Sequence, residues 1–238
     1  MILKGVLFLG GFTARSQAYA QAMVKEDLTP EYSLIFGPKK ASLPGQADNL
    51  DFAKVRSSIF LPDLNIPLRK TFLDKGWNYE KLGNSNINED EIEQAIKEKS
   101  PSLIIYSGYG SQIVSEKLLN IEIPFLHLHS GWLPEYRGST TMYYSWLKEG
   151  ACGVTAIYLH SGIDTGQIIS QKNYPTPPDG IDPDYIYDCA IRADLLVSVL
   201  KTFAENKGYL KPVEQGKEGD TYYVIHPVLK HLARLSTT

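Results

Sequence analysis

Cysteine is nearly absent from this chain: Cys152 and Cys189 are its only two. They supply neither a disulfide framework nor a CxxC metal motif, so both read as reduced thiols in or near the core. Long apolar runs are missing too. The opening "MILKGVLFLGGF" is too short to span a membrane and reads as a first buried strand rather than a signal peptide. A cytoplasmic location and no membrane partner are the expectations that follow. There is no block of Lys or Arg, and the formal net charge is -3, so nothing general favours nucleic acid as a partner. The pattern GxGxxG is absent as well. Gly10-Gly11 closes the first apolar run without completing it, and reads as a tight strand-to-helix turn rather than a dinucleotide site.

What is present suits an ordinary folded domain. Of 238 residues 43% are hydrophobic and 21% charged, which allows a sizeable core and excludes disorder. "GVLFLGG", the helix-forming "ARSQAYAQAMVKE" and "YSLIFG" make a strand–helix–strand opening, pointing to a parallel sheet with crossover helices. Residues 38–86 show no sustained period and read as irregular, with one or two short strands. In "INEDEIEQAIKEK", Asn88 is the expected helix cap, with Glu91 three residues on and Ile87 and Ile92 at the staple positions. Strands are expected at "SLIIYSG", "PFLHLH", "GVTAIYLH" and "GQIISQK". A helix capped by Ser139 or Thr140 should run to Gly150, and a longer one should start at Asp182-Pro183. The apolar stripe of that longer helix is Ile186, Ala190, Ala193, Val197, Leu200 and Phe203. A turn-rich tail with a short terminal helix follows. The domain reading is 1–205, with 206–238 as an extension packed on it.

Two of only five histidines stand one residue apart in "HLHSGWLPEYRG". On a strand His127 and His129 project from one face. Ligands of α/β sheets bind beyond the carboxyl ends of the strands. That rule gathers three loops: 107–112, 129–138 and 160–166. They offer His127, His129, His160 and Asp164 as titratable groups. Spacing leaves three readings open. The histidines are packed core or loop groups; or they and Asp164 hold zinc or non-haem iron; or an imidazole and a carboxylate move a proton in metal-free acyl or formyl transfer.

"HLHSGWLPEYRG" followed by "GVTAIYLHSGIDTGQII" resembles the signature of the folate-dependent formyltransferases. That family includes glycinamide ribonucleotide, methionyl-tRNA and sugar N-formyltransferases. Its pattern is Asn-x-His, then Leu-Pro-x-x-x-Gly, then Gly-Val-Thr ending in Asp-Thr-Gly. His129, Leu133-Pro134, Arg137-Gly138, Gly153-Val154-Thr155 and Asp164-Thr165-Gly166 match it, within a core of about 101–171. The resemblance implies a Rossmann-like α/β fold, mostly parallel with flanking helices. It also implies N10-formyltetrahydrofolate as formyl donor and a primary amine as acceptor. By the same resemblance His129 polarises the formyl oxygen and Asp164 orients it and helps remove the amine's proton. Ser107, Gly108, Tyr109, Gly110 and Ile113, with Ser161, Gly162 and Ile163, correspond to the segments that hold the pterin. Two positions depart from the pattern. His127 replaces the asparagine that donates to the formyl oxygen, and His160 stands where an acidic residue is common.

The acceptor is read from what the resemblance leaves over. The stretch after "QIISQK" is short and not notably basic, unlike the extra domain of the tRNA enzymes. "GGFTARSQ" does not copy the phosphate loop of the glycinamide ribonucleotide enzyme, although Arg15 and Ser16 could meet an anion. An amino sugar, nucleotide-linked or bound for a surface glycan, is therefore the expected substrate. Trp132, Tyr136, Arg137 and Tyr143 are the expected contacts, Tyr144 adding a further ring. No resident metal or nucleic-acid partner is expected, and a homodimer is admitted. The alternatives are a metal-dependent hydrolase or oxygenase using His127, His129 and Asp164, and a catalytically impaired folate- or sugar-binding module.

Overall fold

A computed structural model describes residues 1–37 and 59–236. Strand β1 (Ile2–Gly11) is the apolar run of the opening and is buried from Val6 to Gly11. A strand apolar on both faces belongs inside a parallel sheet. Accordingly β1 pairs in parallel with β2 (Thr29–Phe36) on one side and β4 (Leu103–Ser107) on the other. Between β1 and β2, helix α1 (Ala14–Lys25) begins where the Thr13 side chain accepts the Ser16 N–H, the expected job of a capping threonine.

The full sheet runs β3-β2-β1-β4-β5-β7-β8, with β3 at Glu80–Leu82, β5 at Phe125–His129, β7 at Ala151–Tyr158 and β8 at Ile168–Pro175. It is parallel through β5. Then β7 turns antiparallel to β5, and β8 antiparallel to β7. Strand order reverses at β1/β4, which opens a crevice beyond Gly10, Gly11 and Ser107. One face packs on α1 and on α6 (Asp188–Glu205), the other on α3 (Asp90–Lys99). This is the mostly parallel, helix-flanked α/β architecture expected. Cys152 and Cys189 are both buried and free, and burial pushes each thiol up to about 12. Among the described residues no helix is long and apolar enough to cross a membrane.

Several local expectations change. Residues 38–58, part of the stretch read as irregular, lie outside the described residues. The rest of that stretch holds one short strand, β3, and a helix that was not expected, α2 (Leu68–Asp74), anchored by buried Leu68 and Phe72. Asn88 does not cap α3; Glu89 takes that position without a side-chain bond. Asn88 instead spans to the next loop, donating to the Ile113 carbonyl and accepting from the Ser115 N–H, just before the short helix α4 (Glu116–Leu119). Thr140 precedes α5 (Thr141–Glu149) with a left-handed backbone and caps nothing. Its hydroxyl takes the Ile225 N–H from the tail. The longer helix does start at Asp182, whose carboxylate accepts the N–H groups of Asp184 and Tyr185, but the first turn, Pro183–Tyr187, is π-helical before α6 begins. All six residues of its apolar stripe are buried.

The tail is more ordered than its composition suggests. Val213 pairs with Ile168, and β9 (Asp220–Tyr222) pairs in parallel with β6 (Tyr136–Gly138) as a separate two-stranded sheet. Helix α7 (Pro227–Leu235) follows. Leu210, Ile225 and Ala233 join the same core as β1 and α6. Gly138, at φ +100°, lies so close against the Tyr222 carbonyl that a side chain there would collide with it.

Candidate active site

Strand β5 alternates cleanly. Leu126 and Leu128 enter the core beneath α1 and α6, while Phe125 packs on the opposite face, and His127 and His129 share that face by strand alternation. Tyr106 supplies a ring beside His127, centroids 6.3 Å apart.

The carboxyl-end rule explains only part of what meets there. Because β7 is antiparallel, its last residue Tyr158 lies opposite Leu126, and His129 lies opposite Thr155. The 160–166 turn therefore leaves from the amino end of β5 and reaches His129 by folding back over the histidine face. Asp164 makes that reach. Its Oδ1 stands 3.3 Å from His129 Nδ1, with the two side chains only 12% and 6% exposed, so little water competes for the contact.

The other ring nitrogen fixes the proton count. His129 Nε2 is 2.7 Å from the Tyr136 carbonyl, which can only accept, so Nε2 carries a hydrogen. Nδ1 then faces the Asp164 carboxylate, so a proton taken up on Nδ1 would be shared with Oδ1. Burial lowers the affinity of His129 for that proton, while Asp164 and the Tyr136 carbonyl push the other way. Thr141 Oγ1, 3.4 Å from Nε2, completes the setting.

Asp164 is held with care. Its backbone is left-handed, φ +52°, a conformation that costs a non-glycine residue about 1 kcal/mol or more, though Asp tolerates it better than most. Its Oδ2 accepts the Gly138 N–H at 2.9 Å, and its carbonyl accepts from Gln215. The loop bearing Leu133-Pro134 is fastened separately. Thr155 Oγ1 donates to the Gly131 carbonyl and accepts the Leu133 N–H, and Gln171 donates to the Leu133 carbonyl. So the Gly-Val-Thr segment serves the loop through its threonine.

His127 differs from its neighbour. Burial, then the nearby Arg15 and Arg192, and lastly His129, hold its imidazole well below the usual histidine range, so it is neutral near pH 7. Its Nδ1 is buried with no hydrogen-bond partner. The two arginines are themselves anchored: Arg15 Nη2 donates to the Gly108 carbonyl, and Arg192 donates to the Leu128 carbonyl and pairs with Asp188.

The remaining expected site residues differ in burial and in what they bond to. Ser107 is buried and accepts the Ser16 hydroxyl. Gly108 is pressed against the Tyr106 hydroxyl. Tyr109 lies across Gly11 and Gly37, and its hydroxyl links the Phe12 N–H to the Phe36 carbonyl. Gly110, Ile113, Ser161 and Ile163 are exposed and Gly162 half-buried. Trp132 is half-buried. Tyr136 and Tyr143 are buried, stacked on Tyr222 and Trp146, with hydroxyls bonded to Glu149 and Asp184, so neither ring offers a face to a ligand in this arrangement. Arg137 donates to Gln215 and the Gly216 carbonyl. His160 does not join the cluster. It is exposed and its Nδ1 accepts the Gly162 N–H within its own turn. Among the described residues, His127, His129 and Asp164 are the group that places ligand atoms within 4.8 Å of one another.

Gln215, Thr141 and Arg192 were not anticipated. Arg192 did carry a signal, a cation one turn beyond Asp188 in the helix. Gln215 carried none, since it sits in a polar turn-rich run.

Comparison with known proteins places this geometry in context. The family described as formyl transferase matches residues 62–188. A methionyl-tRNA formyltransferase of Dictyoglomus thermophilum is 31% identical over 204 residues, 82% of this chain and 62% of that protein. The chain thus spans less than two thirds of that relative's length. A sugar N-formyltransferase structure from Shewanella sp superposes with a TM-score of 0.56 at 14% identity, covering 96% of this chain and 85% of the other. HypX from Aquifex aeolicus, solved in complex with tetrahydrofolic acid, gives 0.55 at 17% identity over 94% of this chain and 30% of its own. Those two likenesses speak for the fold. The family match covers more than half of the sequence and includes the strand of His129, the fastened loop and the Asp164 turn: this chain belongs to the formyl transferase family.

Proposed function

We propose that the protein transfers a formyl group from N10-formyltetrahydrofolate to the primary amine of a small molecule, an amino sugar. The observation that carries this reading is the buried contact of His129 with Asp164, an imidazole and a carboxylate placed to take up a proton together, beside an unpartnered His127 nitrogen. Family membership and the tetrahydrofolate-bound HypX structure support the donor. The residues suit such a donor. Exposed Ile113 and Ile163 and the backbone of 108–110 and 161–163 would line the ring, and the orphaned His127 nitrogen would meet the formyl oxygen.

When bound, the donor supplies an activated one-carbon acyl group. The division of labour then follows from which nitrogens are free. Both nitrogens of His129 are engaged by protein, so the polarising role passes to His127. As a neutral imidazole it can donate one N–H to oxygen whose negative charge grows during attack. The His129–Asp164 pair accepts the proton that the attacking amine must lose and returns it to the departing nitrogen. Arg15 and Arg192 make the surroundings electropositive, which favours that charge and an anionic acceptor.

The sugar N-formyltransferase fold from Shewanella and a methionyl-tRNA formyltransferase fold from Clostridium thermocellum cover this chain almost equally, 96% and 95%, so the fold admits either acceptor. The curated relatives act, by name, on methionyl-tRNA, so the acceptor test must include both. Purified protein is incubated with formyl donor and a panel of nucleotide-linked amino sugars and methionyl-tRNA, and products are weighed for the added CO. Formylation of a sugar alone supports the full reading; formylation of the tRNA alone corrects the acceptor; no formylation of any amine refutes the reaction.

One observation favours a second reading. The His127, His129 and Asp164 cluster has the composition of a two-histidine, one-carboxylate metal site. Elemental analysis with activity measured after chelation separates the readings, since a stoichiometric metal required for turnover would replace the acid–base scheme.

A further inference from the structure

Three successive residues of β6 touch the three parts of the site. Tyr136 accepts from His129 through its carbonyl, Arg137 donates to Gln215, and the Gly138 N–H donates to Asp164. Gln215 closes the ring from the far end of the sequence. Its Nε2 donates to the carbonyls of Asp164 and Gly166 at 2.8 and 2.5 Å, while its Oε1 accepts from Arg137 at 3.2 Å. Reversing the amide would set its oxygen against two carbonyls and its NH2 against a guanidinium, so the network permits one orientation.

The flanking contacts keep this side chain from drifting. Val213 exchanges two backbone bonds of 2.8 Å with Ile168, Gln167 donates to Glu214, and the Gly216 carbonyl accepts from Arg137. A left-handed aspartate persists only where its surroundings over-determine it. Among the described residues, the side-chain donors aimed at the turn's own backbone carbonyls from outside it come from Gln215.

We propose that Gln215 is a positioning residue for formyl transfer: its amide bridges the two carbonyls framing the Asp164 turn to Arg137, and thereby sets the approach of Asp164 to His129. This rests on the formyl-transfer reading. Gln215 touches no reacting atom and acts through the carboxylate. Small displacements of a proton-handling group carry large rate penalties, so losing the brace lowers turnover more than binding.

The test compares wild type with Gln215→Met, which keeps the shape and loses the hydrogen bonds, and Gln215→Glu, which opposes an anion to two carbonyls. Two readouts are taken: kcat and KM for formyl transfer, and the NMR titration of the His129 imidazole in the free protein. Expected for Gln215→Met are a kcat lower by about tenfold, a KM for the donor within about twofold, and a displaced His129 titration at unchanged thermal midpoint. Gln215→Glu should be worse on each. A lowered midpoint with the wild-type His129 titration and kcat, in either variant, makes Gln215 merely structural and overturns the proposal, as does no change at all. If wild type formylates nothing, the reaction reading fails, and the imidazole titration still decides the brace.

Discussion

The two halves of the sheet solve different problems. From β3 to β5 the strands are parallel, and β1 and β4 are buried on both faces and almost purely apolar, with Leu7, Leu9, Ile104 and Ile105 fully enclosed. From β5 to β8 they are antiparallel, and β8 is half exposed. The turn between β7 and β8 folds back over the sheet and delivers Asp164. The first half forms a wall that ends in Gly10, Gly11 and Ser107, and the second brings the carboxylate that the proposed reaction uses. Stability should therefore follow the parallel half and chemistry the antiparallel half.

The sharpest way to break that division is Asp164→Asn. Asparagine tolerates the left-handed backbone but cannot share the proton. We expect kcat to fall about 100- to 10,000-fold with the thermal midpoint retained, checked by steady-state formyl transfer and a melting curve. Full activity would remove Asp164 from the mechanism. On the other side, Leu9→Ala should cost about 2–5 kcal/mol in urea unfolding and leave kcat per folded molecule unchanged, because the cavity opens in the wall and not at the site. A loss of kcat in the folded variant would show the halves to be coupled.

Gly138→Ala probes the seam between them. Its φ of +100° and the adjacent Tyr222 carbonyl leave no room for a methyl group. A loss of about 1–3 kcal/mol is expected, together with reduced turnover, since the same residue's N–H holds Asp164. Retained turnover would mean that β6 can shift without moving the carboxylate. The smallest effect concerns acid. His127 has its folded pKa lowered, so below its unfolded value near 6.5 only the unfolded chain gains that proton, and this contribution to stability is lost as pH falls. In His127→Asn the loss disappears. The midpoint at pH 5, measured against that at pH 7.5, should fall by about 2–4 °C less than in wild type.

Legibility from sequence divides along the same line. The parallel strands and α6 were readable because burial on both faces, or on one helical stripe, leaves a periodic mark. The pairing of His129 with Asp164 was readable only through the family resemblance. No local pattern tells that a turn at the far end of an antiparallel strand folds back to the histidine on its neighbour. Asn88 was misassigned because a capping residue and a loop tie have the same composition; the Ser115 amide outcompeted the helix for its oxygen. Tyr136 and Tyr143 looked like stacking surfaces, yet aromatic residues with a hydroxyl that finds Glu149 or Asp184 gain more from burial. Gln215 was invisible because its partners are backbone carbonyls, which every residue has.

That last contact joins positions 51 apart, and the later partner lies beyond the end of α6. During synthesis the sheet and α6 can collapse while Gln215 is still inside the ribosome. A chain at that stage would be compact and still lack the fastening of its acidic turn, so order of emergence separates becoming folded from becoming competent.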